Sequence, residues 1–397
     1  MKYDFETVVR RVNVGSSKWD GMLAKNPNVP EDVIPFSVAD MELLNAPEIV
    51  KGLQEYIESY PLGYTFPTES YNQSVVNWMK KRHNWDAKPE WILNTAGVVS
   101  AFYTAVKAYT EKGDGVMIMT PVYYPFYSAI SLNDRTMVET RLIRKGTRYE
   151  IDWEDFEKKA ADENTKLLLL CSPHNPCSRL WTREELERIG RICIDNNVFI
   201  VSDEIHFDLV MPGHEHIVFA SISEEFAQNC LVCTAPSKTF NLAGLETSNI
   251  FIPNEERRAR YLKEQRTINH KPRCNAIGYK ACQIAYDQCE EWLDQCVDLI
   301  YTNKKLIEDF FAKEFPQIQI MDFEATYLLW MDWSGLGLDY KELERINETE
   351  AFLFLDEGYL FGDQGECFER WNLACPTSYV QAALERMKKA YAPYLNK

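Results

Sequence analysis

Four short runs in this chain are apolar almost without interruption, and each stops at a polar residue. "VMIMT" (Val116 to Thr120) leads into Pro121-Val122-Tyr123-Tyr124, and "LLLLC" (Leu167 to Cys171) into Ser172-Pro173-His174-Asn175-Pro176. "VFIVS" (Val198 to Ser202) leads into Asp203-Glu204-Ile205-His206, and "CLVCT" (Cys230 to Thr234) into Ala235-Pro236-Ser237-Lys238. A strand with one wet face alternates apolar and polar residues, whereas a strand covered on both faces does not. The runs therefore predict an α/β fold with a mixed, mainly parallel sheet between layers of helix. Between the second and third runs, Thr182-Arg183-Glu184-Glu185 reads as a capping box, with Leu186, Ile189 and Cys193 following at helical spacing. Strand, helix and strand within about forty residues make a βαβ unit. Ligands bind beyond the carboxyl ends of the strands in such sheets, so Asn175, Asp203 and Lys238 are expected to converge on one crevice.

Upstream, "WILNTAGVVSAFYTAVKAY" runs from a short strand through Asn94-Thr95-Ala96-Gly97 into a helix with Phe102, Ala105, Val106 and Tyr109 on one side. Gly97 allows close backbone approach, and the amides of Val98, Val99 and Ser100 would be free at the helix N-terminus, an anion site suited to a phosphate. One ligand could use all of these ends. A phosphate would take the helix N-terminus, Asp203 would pair with a protonated ring nitrogen, and Asn175 would bond a ring hydroxyl. A desolvated Lys238 would attack a carbonyl to form an imine, and Tyr123 could stack on the ring. Pyridoxal 5′-phosphate carries every one of those groups.

Length and composition set limits. At 397 residues the chain suits two domains, or one large and one small. With 46% hydrophobic and 26% charged residues it has the composition of a globular protein. A net charge of −17 repels a phosphate backbone, which argues against nucleic acid as a partner. No apolar run approaches the roughly 18 residues of a membrane span, and "MKYDFETVVRRV" has no apolar signal core. Eleven scattered cysteines then read as reduced thiols, and a cytoplasmic location is expected. No metal is expected. Cys230 and Cys233 would face opposite sides of a strand. Cys282, Cys289 and Cys296 would lie about 10.5 Å apart along one helix, too far for thiolates that each sit about 2.3 Å from a zinc. His214-x-His216 has no third ligand nearby and reads as loop structure.

The set "TPVYYPF", "SPHNP", "SDEIH" and "APSKTFNLAGL", in that order, resembles the aspartate-aminotransferase-like (fold type I) superfamily of pyridoxal-phosphate enzymes. The spacings agree, with 28 residues from Asn175 to Asp203 and 35 from Asp203 to Lys238. "SVADME", "GYT", "AGVV", "DEIH", "GHEHIVFAS" and "RWNLACP" are similar to the MalY/PatB-type cystathionine β-lyases. The resemblance implies a large cofactor-binding domain over residues 46–285, with a smaller α+β domain made of 1–45 and 286–397. It implies Lys238 as the imine-forming lysine and Asp203 as the pyridinium partner. Asn175 and His206 would contact the ring oxygen, and Tyr123 would stack on the pyridine. The Val98 and Val99 amides and Ser237 would hold the phosphate. Tyr64 would reach the phosphate of a neighbouring subunit, hence a homodimer with shared active sites, and Arg370 would clamp the substrate α-carboxylate. The implied activity is carbon–sulfur β-lyase, with aminotransferase as the alternative and a cofactor-binding regulator as a third possibility. Two departures stand out. Glu246 occupies the position where transaminases carry a phosphate arginine, and it is expected to point away. Ser178 replaces the glycine of the usual turn after Asn175-Pro176 and is expected to distort it.

Overall fold

The structure is a computed structural model and describes residues 2–270 and 273–394. The first strands are β1 (Ile92–Thr95), β2 (Gly115–Thr120) and β3 (Thr136–Arg141), followed by a hairpin of β4 (Ile143–Lys145) and β5 (Arg148–Glu150). Then come β6 (Thr165–Cys171), β7 (Phe199–Asp203), β8 (Cys230–Thr234) and β9 (Ser248–Phe251). The last four are β10 (Gln319–Ile320), β11 (Leu328–Asp332), β12 (Asp356–Glu357) and β13 (Phe368–Asn372). Seven of them form one sheet in the order β1-β9-β8-β7-β6-β2-β3, parallel from β8 through β3 and antiparallel where β9 joins β8 and β1.

The uninterrupted apolar runs have the cause that the sequence suggests. Met117, Met119, Leu168, Leu170, Ile200 and Val232 pack into one core, while Val116, Ile118, Leu167, Leu169, Val201 and Leu231 pack into a second. Alternate residues enter opposite cores, so both faces of the sheet are covered by helix and the runs need not alternate apolar with polar residues. The helix Arg183–Asp195, opened by the Thr182–Glu185 capping box, covers one face. Gly190 sits on its buried side, where a Cβ would lie 2.3 Å from the Phe226 ring, so only glycine lets the helix come this close. An alanine here would cost about 1–3 kcal/mol in displaced packing.

A four-stranded antiparallel sheet, β10-β11-β13-β12, stands apart from the first. It is flanked by the long helix Glu290–Glu314 and the final helix Thr377–Tyr391. The N-terminal segment joins this part of the molecule. Phe36 N donates to Phe354 O (2.8 Å), Asn372 N to Phe36 O (3.0 Å) and Glu42 N to Ala374 O (2.9 Å).

The cysteine expectation needs one correction. Cys282, Cys289 and Cys296 do not share a helix, because Cys289 leaves helical geometry (φ −109°, ψ 19°) between helices Ala276–Gln288 and Glu290–Glu314. All three are buried free thiols, and Cys230 and Cys233 enter opposite cores. Among the described residues, no helix is long and apolar enough to cross a membrane.

Candidate active site

The carboxyl ends of β6, β7 and β8 lie side by side, with Cys171 opposite Asp203 and Asp203 opposite Cys233. A cavity of about 330 Å³ opens there, lined among others by Tyr123, Asn175, Asp203, His206, Ser237 and Lys238. Asp203 ends β7 at 4% exposure, and its carboxylate accepts one hydrogen bond, from Ile205 N at 3.2 Å. Burial pushes its pKa up to about 7; the Ile205 amide and the Lys238 charge oppose the shift, and the neighbouring Glu204 adds to it. An acid that is deeply buried and so poorly partnered is complementary to a protonated ring nitrogen.

Lys238 follows β8 on the helical turn Pro236–Thr239, and its Nζ donates to Ala39 O at 2.7 Å. Burial lowers its pKa to about 8, against the attraction of Asp40 and Asp203, so far more of the amine is neutral and nucleophilic near neutral pH than for an ordinary lysine. The Ala39 carbonyl arrives by a constrained route. Val38 holds φ +52°, a left-handed conformation that a β-branched residue adopts at a cost of about 1–2 kcal/mol. The conformation is held from two sides: Val38 N donates to the Asp356 carboxylate, and Asn372 Nδ2 donates to Val38 O at 2.8 Å.

Arg370 lies on β13 opposite Asp356 of β12 and is buried. Its Nη1 donates to Asn175 Oδ1 at 2.9 Å, Nη2 pairs with Asp356, and the guanidinium lies 4.6 Å from the Phe361 ring centre. Nε has no hydrogen-bond partner among the described residues. Arg370 thus borders the cavity through Asn175 and brings the second sheet to the strand ends of the first. His206 Nδ1 is also buried without a partner among the described residues, and burial together with the charges of Lys238 and Arg370 holds the ring well below its usual pKa, hence neutral.

On the opposite wall, the helix Gly97–Tyr109 begins at Gly97 (φ +82°) with no side-chain cap, which leaves the first-turn amides of Val98 and Val99 facing the cavity. The orphan imidazole nitrogen, the poorly partnered acid, the uncapped helix and the depressed amine are the complement of pyridoxal 5′-phosphate, group by group.

Two expectations turn out differently. Ser178 does not distort its turn; it takes φ +54° itself, and its Oγ donates to Leu328 O. Glu246 does not turn away; it sits exposed at the cavity rim in a left-handed conformation (φ 45°) and is among the lining residues. Tyr64, expected to act in a neighbouring subunit, is 91% exposed and is not among the residues lining this chain's own cavity; Arg273 lies 4.5 Å from its ring. His214 is exposed and His216 buried, so the two do not act as a pair. Residues that local sequence does not single out also shape the site. Ala39 and Asp356 reach it from distant segments, and Tyr327 packs its ring 5.8 Å from His206.

The profile of the family "Aminotransferase class I and II" matches residues 31–374. Cystathionine beta-lyase PatB of Bacillus subtilis (strain 168) is 38% identical over 389 residues, covering 98% of this chain and 99% of that protein. Protein MalY of Escherichia coli (strain K12) is 28% identical over 96% of both chains. Among solved structures, cystalysin from Treponema denticola, which contains a pyridoxal 5′-phosphate cofactor, superposes with a TM-score of 0.97 at 48% identity, covering 99% of this chain and 100% of that one. The pyridoxal-phosphate-bound C-S lyase of Staphylococcus hominis superposes with a TM-score of 0.90 at 31% identity, covering 99% of each chain.

Proposed function

Because the chain belongs to the aminotransferase class I and II family, we propose that it is a pyridoxal 5′-phosphate-dependent carbon–sulfur β-lyase of the cystathionine β-lyase type. It cleaves a sulfur amino acid to a thiol, pyruvate and ammonia. The observation that carries this reading is the juxtaposition of a buried acid raised to about 7 with a buried amine lowered to about 8 at adjacent strand ends.

The cofactor, when bound, supplies the electron sink for the carbanion at Cα. Asp203 holds the proton on the ring nitrogen, which a carboxylate without competing partners does well. Neutral His206 and Asn175 Nδ2 would offer hydrogen bonds to the cofactor's ring oxygen, and Tyr123 would pack against its ring. The Val98 and Val99 amides and Ser237 hold the phosphate, and the helix dipole offsets part of the charge that an arginine would otherwise meet. Arg370, kept in plane by Asp356 and Asn175, receives the substrate α-carboxylate. Lys238 Nζ takes the proton from Cα as general base. Ala39 O accepts a hydrogen bond from this amine at 2.7 Å and fixes its direction.

The large unit, residues 46–285, carries the cofactor, while residues 1–45 with 286–397 form the small one. Tyr64, exposed in one subunit, reaches the phosphate of a second, giving a homodimer with shared sites in the cytoplasm. An aminotransferase would use the same residues. Glu246 in place of a phosphate arginine, together with the likeness to C–S lyases, favours elimination. Incubation with L-cystathionine tests the choice. Thiol and pyruvate released without any 2-oxo acid support the lyase, and a strict requirement for an acceptor means an aminotransferase. Cofactor retention without turnover across a panel of amino acids leaves a regulator.

A further inference from the structure

Lys238 stands between two cavities. The second, of about 530 Å³, shares Ala39, Lys238 and Ala243 with the first and extends toward the N-terminal segment, within the size range of ligand pockets. Its wall carries a fixed array of charge. Arg11 Nη1 donates to Asp40 Oδ2 at 3.0 Å, Nη2 donates to Asp40 Oδ1 at 3.3 Å, and Nη2 also pairs with Glu42. Behind them Lys18 Nζ donates to Asp40 O at 3.0 Å and lies 3.4 Å from both Asp40 Oδ1 and Glu42 Oε1. Lys18 and Glu42 are sealed, with 1% and 2% side-chain exposure, whereas Arg11 and Asp40 keep 29% and 23%.

The two cations and two anions cancel, so the wall does not select for net charge. What it presents is an oriented pair, a guanidinium beside a carboxylate. Three guanidinium donors are committed, leaving the Nε–H and one Nη1–H without a hydrogen bond to the described residues. A zwitterion is complementary to that pair, its carboxylate to Arg11 and its ammonium to Asp40.

We propose that this cavity is the subsite for the leaving group, and that Arg11 and Asp40 recognise the distal amino-acid end of a substrate whose departing thiol carries its own ammonium and carboxylate. This inference rests on the lyase reading. Bond cleavage needs nothing new: the Cβ–S bond breaks, the electron pair leaves on sulfur, the thiolate takes up the proton that Lys238 removed from Cα, and the thiol departs through the wider cavity.

The test compares pyruvate release by the cofactor-loaded enzyme from L-cystathionine, from S-propyl-L-cysteine (a chain of similar reach with an uncharged end) and from S-methyl-L-cysteine. The wild type is expected to show at least about tenfold higher kcat/KM for cystathionine than for the propyl compound. Arg11→Gln is expected to lower the ratio of cystathionine to S-methylcysteine kcat/KM by about tenfold, and R11K to restore part of it. Equal or faster cleavage of the propyl compound by the wild type overturns the subsite, as does an unchanged ratio in the variant. The wild-type comparison decides the matter even if the variant fails to fold. If the wild type releases pyruvate from none of the three, the lyase reading itself fails.

Discussion

The loop after β7 has two sides that differ in kind. Among the described residues, Asp203 on the cavity side accepts one hydrogen bond and His206 Nδ1 has none. Away from the cavity the loop presents two other buried carboxylates that are fully engaged. Glu204 accepts from Ser202 Oγ (2.8 Å) and Phe219 N (2.9 Å) and pairs with His216 Nε2 (2.8 Å). Asp208 accepts from Trp78 Nε1 (3.1 Å) and Thr239 Oγ1 (2.8 Å) and pairs with His83 Nε2 (2.8 Å). Asp203 and Glu204 are adjacent in sequence and both buried, yet only Glu204 is fully engaged by partners among the described residues. Buried polar groups that are satisfied hold structure; those left short of partners inside a cavity are waiting for a ligand. Thr239 ties the two sides together, since it follows Lys238 directly and hangs from Asp208.

That contrast can be broken at several points, the largest effect first. Lys238→Ala removes the base and the amine that joins the cofactor. Pyruvate release should fall by about 10³-fold or more, the visible absorbance of the loaded protein should vanish, and the chemical-denaturation midpoint should hold.

The pH dependence of stability comes next. Asp203 has a folded pKa of about 7 against about 3.9 unfolded, so the native state binds this proton more tightly. Its contribution is fully present below about pH 4 and is lost as the pH rises through 7. In cofactor-free protein, urea titrations of the wild type against Asp203→Asn should show a difference that changes by about 3 kcal/mol between pH 4 and 7, then flattens. Added pyridoxal 5′-phosphate should erase the slope, because the pyridinium becomes the missing partner.

Asp208→Ala attacks the satisfied side. Leaving the Trp78, His83 and Thr239 donors unpaired should cost about 2–3 kcal/mol in denaturant unfolding, with the substrate KM little changed. The smallest effect belongs to Thr239→Val, an isosteric loss of one hydrogen bond. About 1 kcal/mol of stability and a few-fold fall in kcat are expected, with Thr239→Ser restoring both. If Thr239→Val lowers stability but leaves kcat untouched, the satisfied side is scaffold alone.

Much of the front of the site is legible in the chain itself. Asn175, Asp203 and Lys238 each follow an uninterrupted apolar run, and in a doubly covered parallel sheet the ends of such runs are where a ligand can reach. The uncapped helix start at Gly97 is legible for the same local reason. The back is not. His83 lies 125 residues from Asp208, and nothing in the residues around His83 announces the pairing. Arg370 could be matched by resemblance, but its clamp by Asp356 and Asn175 depends on two strands of the second sheet meeting the end of β6.

The sequence by itself determined the covered parallel sheet and the strand-end residues, because burial on both faces and the carboxyl-end crevice are written into consecutive side chains. Only the tertiary structure decided which carboxylates are satisfied, where residues 38–42 bend to offer Lys238 a carbonyl, and that a second, charge-lined cavity adjoins the first. Those outcomes depend on contacts between segments far apart in the chain, and desolvation and hydrogen bonding are properties of the assembled surroundings that no local run of residues encodes.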